Sequence, residues 1–66
     1  MKEQQISVSQ RNPLNQRFYF LFRTEWTTEK DELSATLEGI KQGFPAPEFS
    51  ISVHTRETKQ SFEVVN

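Results

Sequence analysis

The chain has 66 residues, a formal net charge of −1 at pH 7 and no cysteine. This length predicts one small domain over residues 1–66 with a thin core, because so short a chain buries only about 60% of its unfolded surface. The composition excludes disulfides and thiolate metal sites, and it argues against a histone-like basic protein. The sequence contains no apolar run long enough for a secretion signal or a membrane span, so we expect a cytoplasmic protein without a membrane partner.

The first 15 residues are mostly polar and carry a weak structural signal. Ile6 and Val8 are two positions apart, which fits a short edge strand near residues 4–9 with both side chains on one face. The Asn12-Pro13 pair indicates a turn, because proline disfavours helical backbone in the residue before it. The alternative for residues 1–15 is a flexible tail.

The stretch from Arg17 to Arg23 holds three of the six phenylalanines and the only tyrosine. Such aromatic density is typical of a β-strand. Side chains alternate between the two faces of a strand, so Phe18, Phe20 and Phe22 are expected to share a covered face. The uncovered face is then expected to carry Arg17, Tyr19, Leu21 and Arg23. We predict that this is the central strand. The sequence does not determine the strand order, and an all-antiparallel order with the last strand beside this one is plausible.

A helix is predicted from about residue 28 to residue 42. Its apolar positions recur at spacings of four, three and four, which form one helical stripe; they are Leu33, Leu37, Ile40 and Phe44. Thr27 or Thr28 is expected to be the N-cap and Gly43 the C-cap, and the prolines that follow prevent continuation. Gly39 lies inside the helix and either allows a close approach to the sheet or has no structural role.

Two strands are predicted after the helix. Apolar and polar residues alternate over residues 48–54 and again over residues 61–65, which is typical of half-buried strands. The polar segment between them, residues 55–59, lacks glycine and favours a loop built on a type I turn. The predicted order is ββαββ, or βαββ without the first strand. It describes a two-layer α+β domain with one helix packed on a mainly antiparallel sheet of three or four strands. This order is shared by many unrelated small proteins, including bacterial and phage regulators, and no motif singles out one family.

The predicted core combines the helical stripe with the inward positions of the strands. It consists of Phe18, Phe20, Phe22, Leu33, Leu37, Ile40, Phe44, Phe49, Ile51, Val53, Phe62 and Val64.

Nothing in the sequence predicts catalysis. His54 is the only histidine, and no serine lies in a nucleophile-elbow pattern. Ser50 and Ser52 share the predicted face of His54 but are more simply solvent-facing strand residues. No metal-ligand spacing and no glycine-rich phosphate loop is present. We therefore expect a protein that is not an enzyme and that has no metal and no cofactor.

The uncovered sheet face is the predicted partner-binding surface. Its proposed contact residues are Arg17, Tyr19, Leu21, Arg23, His54 and Val65. Tyrosine and arginine are enriched in protein interface hot spots, and sheet edges offer backbone pairing to another chain. The favoured hypothesis is a regulatory module, an adaptor or inhibitor, that binds a protein partner and self-associates. The alternative is single-stranded nucleic-acid binding by the Tyr and Arg side chains, which is disfavoured because Glu63 is expected on the same face.

Overall fold

A computed structural model of the chain describes residues 2–57 and 59–65. Four strands and one helix follow one another as β1 (Glu3–Arg11), β2 (Phe18–Arg23), α1 (Lys30–Gly43), β3 (Phe49–Arg56) and β4 (Gln60–Val64). The strands form one antiparallel sheet in the order β2-β1-β3-β4, with the helix on one side. The predicted α+β class and the order ββαββ are therefore confirmed. None of the described helices is long and apolar enough to cross a membrane.

The position of β1 corrects the prediction of an edge strand or a tail. The strand runs through the middle of the sheet and pairs with β2 on one side and β3 on the other. Its apolar side chains, Ile6 and Val8, are fully buried because the helix covers them and strands flank them. The aromatic strand β2 and the last strand β4 lie at opposite edges. The expected central position of β2 is wrong, and the plausible order that pairs it with the last strand is not the observed one.

The core lies between the helix and the two central strands. Its buried residues are Ile6, Val8, Leu33 and Ile51. Around them pack the partly buried residues Phe22, Leu37, Ile40, Phe44, Phe49, Val53 and Val65. Phe44 joins the helix to the edge strand β2 and the central strand β3, since its ring makes edge contacts with Phe22 at 5.4 Å and with Phe49 at 5.0 Å. Such ring pairs contribute beyond the area that they bury.

The sheet face opposite the helix has no covering element in the part of the chain that is described. We call it the open face. Register and strand alternation assign to it Glu3, Gln5, Ser7, Ser9 and Arg11 of β1, Phe18, Phe20 and Arg23 of β2, Ser50, Ser52, His54 and Arg56 of β3, and Gln60, Phe62 and Val64 of β4.

A β-bulge in β2 explains why two predicted core residues lie on the open face. Val8 pairs with Phe22, but the next residue of β1, Ser9, pairs with Phe20, which leaves Leu21 without a partner in the ladder. One extra residue reverses the alternation. Phe22 therefore faces the helix, whereas Phe20 is 58% exposed, and Phe18, two residues earlier, is also exposed.

The facing of β4 is also the reverse of the prediction. Phe62 pairs with His54 and Val64 with Ser52, so both apolar side chains share the open face, where Phe62 is 67% exposed. Glu63 pairs with Val53 and lies on the helix side. The helix lies over the centre of the sheet, so burial does not determine the facing of this edge strand. The apolar contact with the core is made instead by the following residue, Val65.

The ends of the helix differ slightly from the prediction. Glu29, rather than a threonine, is the N-cap, and its side chain makes no capping hydrogen bond. The Thr27 hydroxyl accepts a hydrogen bond from the Glu29 N–H at 3.1 Å. Gly43 is the last helical residue instead of the C-cap, and the Phe44 N–H donates to the Ile40 carbonyl.

Two smaller expectations concern Gly39 and the β3–β4 loop. A Cβ added to Gly39 would meet no atom within 4 Å, so this glycine does not mediate a close approach to the sheet. The loop is shorter than predicted, because β3 continues to Arg56 and β4 begins at Gln60. The predicted type I turn involves Thr58, which lies outside the described residues.

Candidate binding face of the sheet

The open face forms a shallow groove with apolar rims and a polar floor. Phe18 and Phe20 stand along one edge strand, and Phe62 and Val64 stand along the other. The two central strands contribute small or polar side chains between them: Gln5, Ser7, Ser9, Ser50, Ser52 and His54. Four strands spaced about 4.8 Å apart make the groove about 14 Å wide. The part of the groove between Phe20 and Phe62 has a volume of about 530 Å³, which is in the usual range for ligand sites.

Contacts within the open face hold its side chains in place. The Arg23 guanidinium lies 5.7 Å from the centre of the Phe20 ring, and the His54 ring stacks on Phe62 at 5.5 Å. The Ser7 hydroxyl is hydrogen-bonded to His54 Nε2 at 2.9 Å. The buried amide of Gln5 donates to a backbone carbonyl at 2.9 Å. Ring planes and hydrogen-bonding groups are therefore available on a rigid sheet, which lowers the entropic cost of binding.

The charge of the open face is opposite in sign to that of the whole chain. Three arginines, Arg11, Arg23 and Arg56, stand against one carboxylate, that of Glu3. Glu3 and Arg56 form an exposed salt bridge at 2.9 Å, so Arg11 and Arg23 carry most of the free positive charge. The chain as a whole has a net charge of −1. The open face is therefore a local positive patch on a slightly acidic molecule.

The six residues predicted to bind a partner are not brought together. Arg23 and His54 share the open face. Tyr19 pairs with Gln10 on the helix side, where its hydroxyl donates to the Gln10 amide oxygen at 2.8 Å. The other three lie elsewhere: Leu21 in the bulge, Arg17 before β2, and Val65 against the core.

Sequence reasoning missed the four exposed apolar residues of the rims, Phe18, Phe20, Phe62 and Val64. Residues 18–22 are all apolar or aromatic, so alternation alone does not show which phase faces the core. Val64 and Val65 are adjacent, and either could have been the buried one. Two features of the sequence could have pointed to these residues. One is the ambiguous facing of residues 18–22, and the other is the polar character of the odd-numbered positions of β1, which define the open face.

The Ser7–His54 pair has the separation of a nucleophile and its base. Catalysis would also need an oxyanion hole and a group that orients the histidine. The Arg11 N–H donates to the Glu48 carbonyl, which sets the ladder phase so that the backbone of Ser7 pairs with Ser52. The backbone N–H of Ser7 is therefore engaged in the sheet and cannot stabilise an oxyanion. Among the described residues no group of three or more metal-binding side chains occurs. The pair links β1 to β3 by a side-chain hydrogen bond.

A second depression, of about 310 Å³, lies between the start of the helix and the segment after β2. Glu25 and Glu32 line it together with three threonines. Its lining includes the partly exposed Trp26 ring but no arginine or lysine. We therefore regard the open face as the stronger candidate site.

Comparison of the chain with protein-family models, with curated proteins and with solved structures finds no match.

Proposed function

We propose that the protein is a non-catalytic binding module and that its open face binds single-stranded nucleic acid. The observation that supports this proposal best is the arrangement of three exposed phenylalanine rings beside arginines on one sheet face. Proteins that bind single strands combine stacking rings with a positive surface that follows the backbone.

Each part of the groove can contact one part of a single-stranded nucleic acid. Bases would stack on Phe18, Phe20 and Phe62, which are 50%, 58% and 67% exposed. The hydroxyls and amides of the floor would reach base edges, as they do where single-stranded RNA is recognised. Arg11 and Arg23 would contact phosphates. Glu63 was the main reason to disfavour this ligand, and it lies on the helix side of β4.

A protein partner on the same face is the second candidate, because the apolar rims also suit a protein interface. The exposed side chains of Phe18, Phe20, Phe62 and Val64 are grouped on one surface, and apolar patches rimmed by polar residues mark interaction sites. An adaptor or inhibitor would use these rims. A flat protein surface, however, would leave the serines of the floor and the arginines poorly paired, and unpaired polar groups weaken an interface. A single-stranded nucleic acid would pair with both, because its base edges can bond the serines and its phosphates the arginines.

The proposal is tested by fluorescence anisotropy with labelled 12-nucleotide oligo(dT) and oligo(U) at low salt. Saturable binding is expected to weaken about 5- to 150-fold in Phe62→Ala and in Phe20→Ala, since one base stack is worth about 1–3 kcal/mol. The matched control is Leu14→Ala, which removes an apolar side chain that is 93% exposed but lies outside the sheet. Its affinity should equal that of the unmodified protein.

The absence of saturable binding to either oligonucleotide at low salt would overturn the nucleic-acid assignment. If a protein then co-purifies from nuclease-treated extract and is lost with Phe62→Ala, the second candidate is favoured.

A further inference from the structure

We propose that the outer edge of β4 pairs with the same edge of a second copy of this chain, in an antiparallel register centred on Phe62. Within the described residues, the sheet order leaves one side of β4 without a neighbouring strand. The Val65 N–H donates to the Ile51 carbonyl at 2.9 Å, which sets the phase of the ladder. Backbone groups of alternate residues point to opposite sides of a strand. Gln60, Phe62 and Val64 therefore turn their N–H and C=O groups outward.

The β4 edge has no bulge, proline or lysine among its described residues, three features by which proteins protect sheet edges. Bulges, prolines and lysines prevent such edges from pairing with another chain. The opposite edge, β2, has a bulge at Leu21 and ends in Arg23. The β4 segment, Gln-Ser-Phe-Glu-Val, contains no proline or lysine, its register with β3 is unbroken from Gln60 to Val64, and its single charge is that of Glu63. An unprotected edge of this kind favours strand addition over a solvent-exposed end.

The positions of the outward groups and the side chains together select one register. Centring on Phe62 pairs this residue with its equivalent in the other copy and pairs Gln60 with Val64, so all three outward residues form hydrogen bonds. On the helix side, Ser61 then lies opposite Glu63 of the other copy. A shift that centres the pair on Glu63 loses outward pairs and places two carboxylates directly opposite each other, which is destabilising.

The resulting contact is isologous, the type found in twofold-symmetric dimers. The twofold axis runs perpendicular to the sheet, so both open faces lie on one side of a continuous sheet. The two Phe62 rings become cross-strand neighbours at its centre. The dimer does not require any particular ligand on the open face, and either candidate function would gain a longer binding surface from it.

The first experiment is sedimentation equilibrium of the full chain over a concentration range from 5 to about 500 μM, a range suited to weak dimers. We expect a concentration-dependent dimer. Val64→Pro removes one outward N–H and leaves the pairing with β3 intact, so it should weaken the dimer at least tenfold. Val64→Ala is the matched control, which keeps that N–H and should still dimerise.

A second pair of variants tests the register and does not depend on how a proline is tolerated. Ser61→Glu places a carboxylate opposite Glu63 of the other copy and should weaken the dimer about tenfold, whereas Ser61→Lys should tighten it. Glu38→Lys, on the helix, is the charge control and should leave the dissociation constant unchanged. A monomer at every concentration would overturn the proposal. A dimer that is insensitive to the Ser61 variants but is weakened by Leu21→Glu would also overturn it, by assigning the contact to β2.

Discussion

At the scale of single residues, few side chains stabilise the fold. Ile6, Val8 and Ile51 are fully buried, and Leu33 is nearly so. Four large apolar side chains of the edge strands are at least half exposed on the open face: Phe18, Phe20, Phe62 and Val64. Because apolar free energy scales with the area removed from water, stability should depend on the buried aliphatic residues and little on these four exposed ones.

We therefore expect Ile51→Ala to destabilise the protein by about 2–5 kcal/mol, which is the usual cost of a buried Ile-to-Ala truncation. A domain of this size could lose cooperative folding as a result. Phe20→Ala should cost at most about 1 kcal/mol, because surface substitutions rarely cost more. Urea denaturation followed by circular dichroism measures both. Equal losses for the two variants would show that Phe20 is covered.

The contrast between these two residues shows the limit of sequence-based reasoning at this scale. Ile51 alternates with serines on both sides, so its pattern identifies the buried face without ambiguity. Phe20 lies in an unbroken apolar run, where both faces look equally apolar. A bulge then reverses the phase within β2, and a bulge of this kind leaves no signature in the side chains of one strand. The rims of the candidate site were therefore beyond prediction.

At the scale of the elements, the helix and the strands after it were predictable because their signals are local. The helical stripe, the acidic first turn and the prolines beyond Phe44 lie within one stretch of chain. The position of β1 in the sheet depends instead on pairing between distant segments, since Ser7 pairs with Ser52 and Gln4 with Thr55, and such non-local contacts leave no local signal. Two apolar residues in nine predict a weak strand, and its central position follows only from the assembled sheet.

The helix itself has a position where stability can be gained. Gly39 is in the third turn of α1, and a Cβ there would meet nothing within 4 Å. Gly39→Ala should stabilise the protein by about 0.5–1 kcal/mol, because alanine is the better helix former and restricts the unfolded chain. Gly43→Ala, at the last helical residue, is the control and should change stability less. Thermal melts of both variants measure the effect, and a loss of stability in Gly39→Ala would contradict the open space at this position.

At the scale of the whole molecule, two features point to the open face as the working surface. The shortest dimension is 15 Å, about the thickness of one helix on one sheet, so half of the sheet surface is left for contact with something else. The arginines on this face outnumber its carboxylates, whereas the chain as a whole is slightly acidic. Helix and helix-side residues therefore carry the excess of negative charge. An anionic polymer approaching the molecule would be oriented toward the open face.

This charge asymmetry gives a quantitative expectation for salt. If phosphates contact the arginines of the open face, the logarithm of the affinity falls linearly with the logarithm of salt concentration, with a slope of about −0.7 for each single-strand phosphate neutralised. Arg23→Ala should reduce the magnitude of that slope by about 0.7. Lys41→Ala removes a cation from the last turn of the helix and should leave the slope unchanged. Phe62→Ala should weaken binding at every salt concentration without changing the slope, because stacking releases no counterions.

Anisotropy titrations from 25 to about 300 mM salt, a range over which counterion release dominates, separate these effects. Equal slopes for Arg23→Ala and the unmodified protein would mean that the cations of the open face do not contact the ligand.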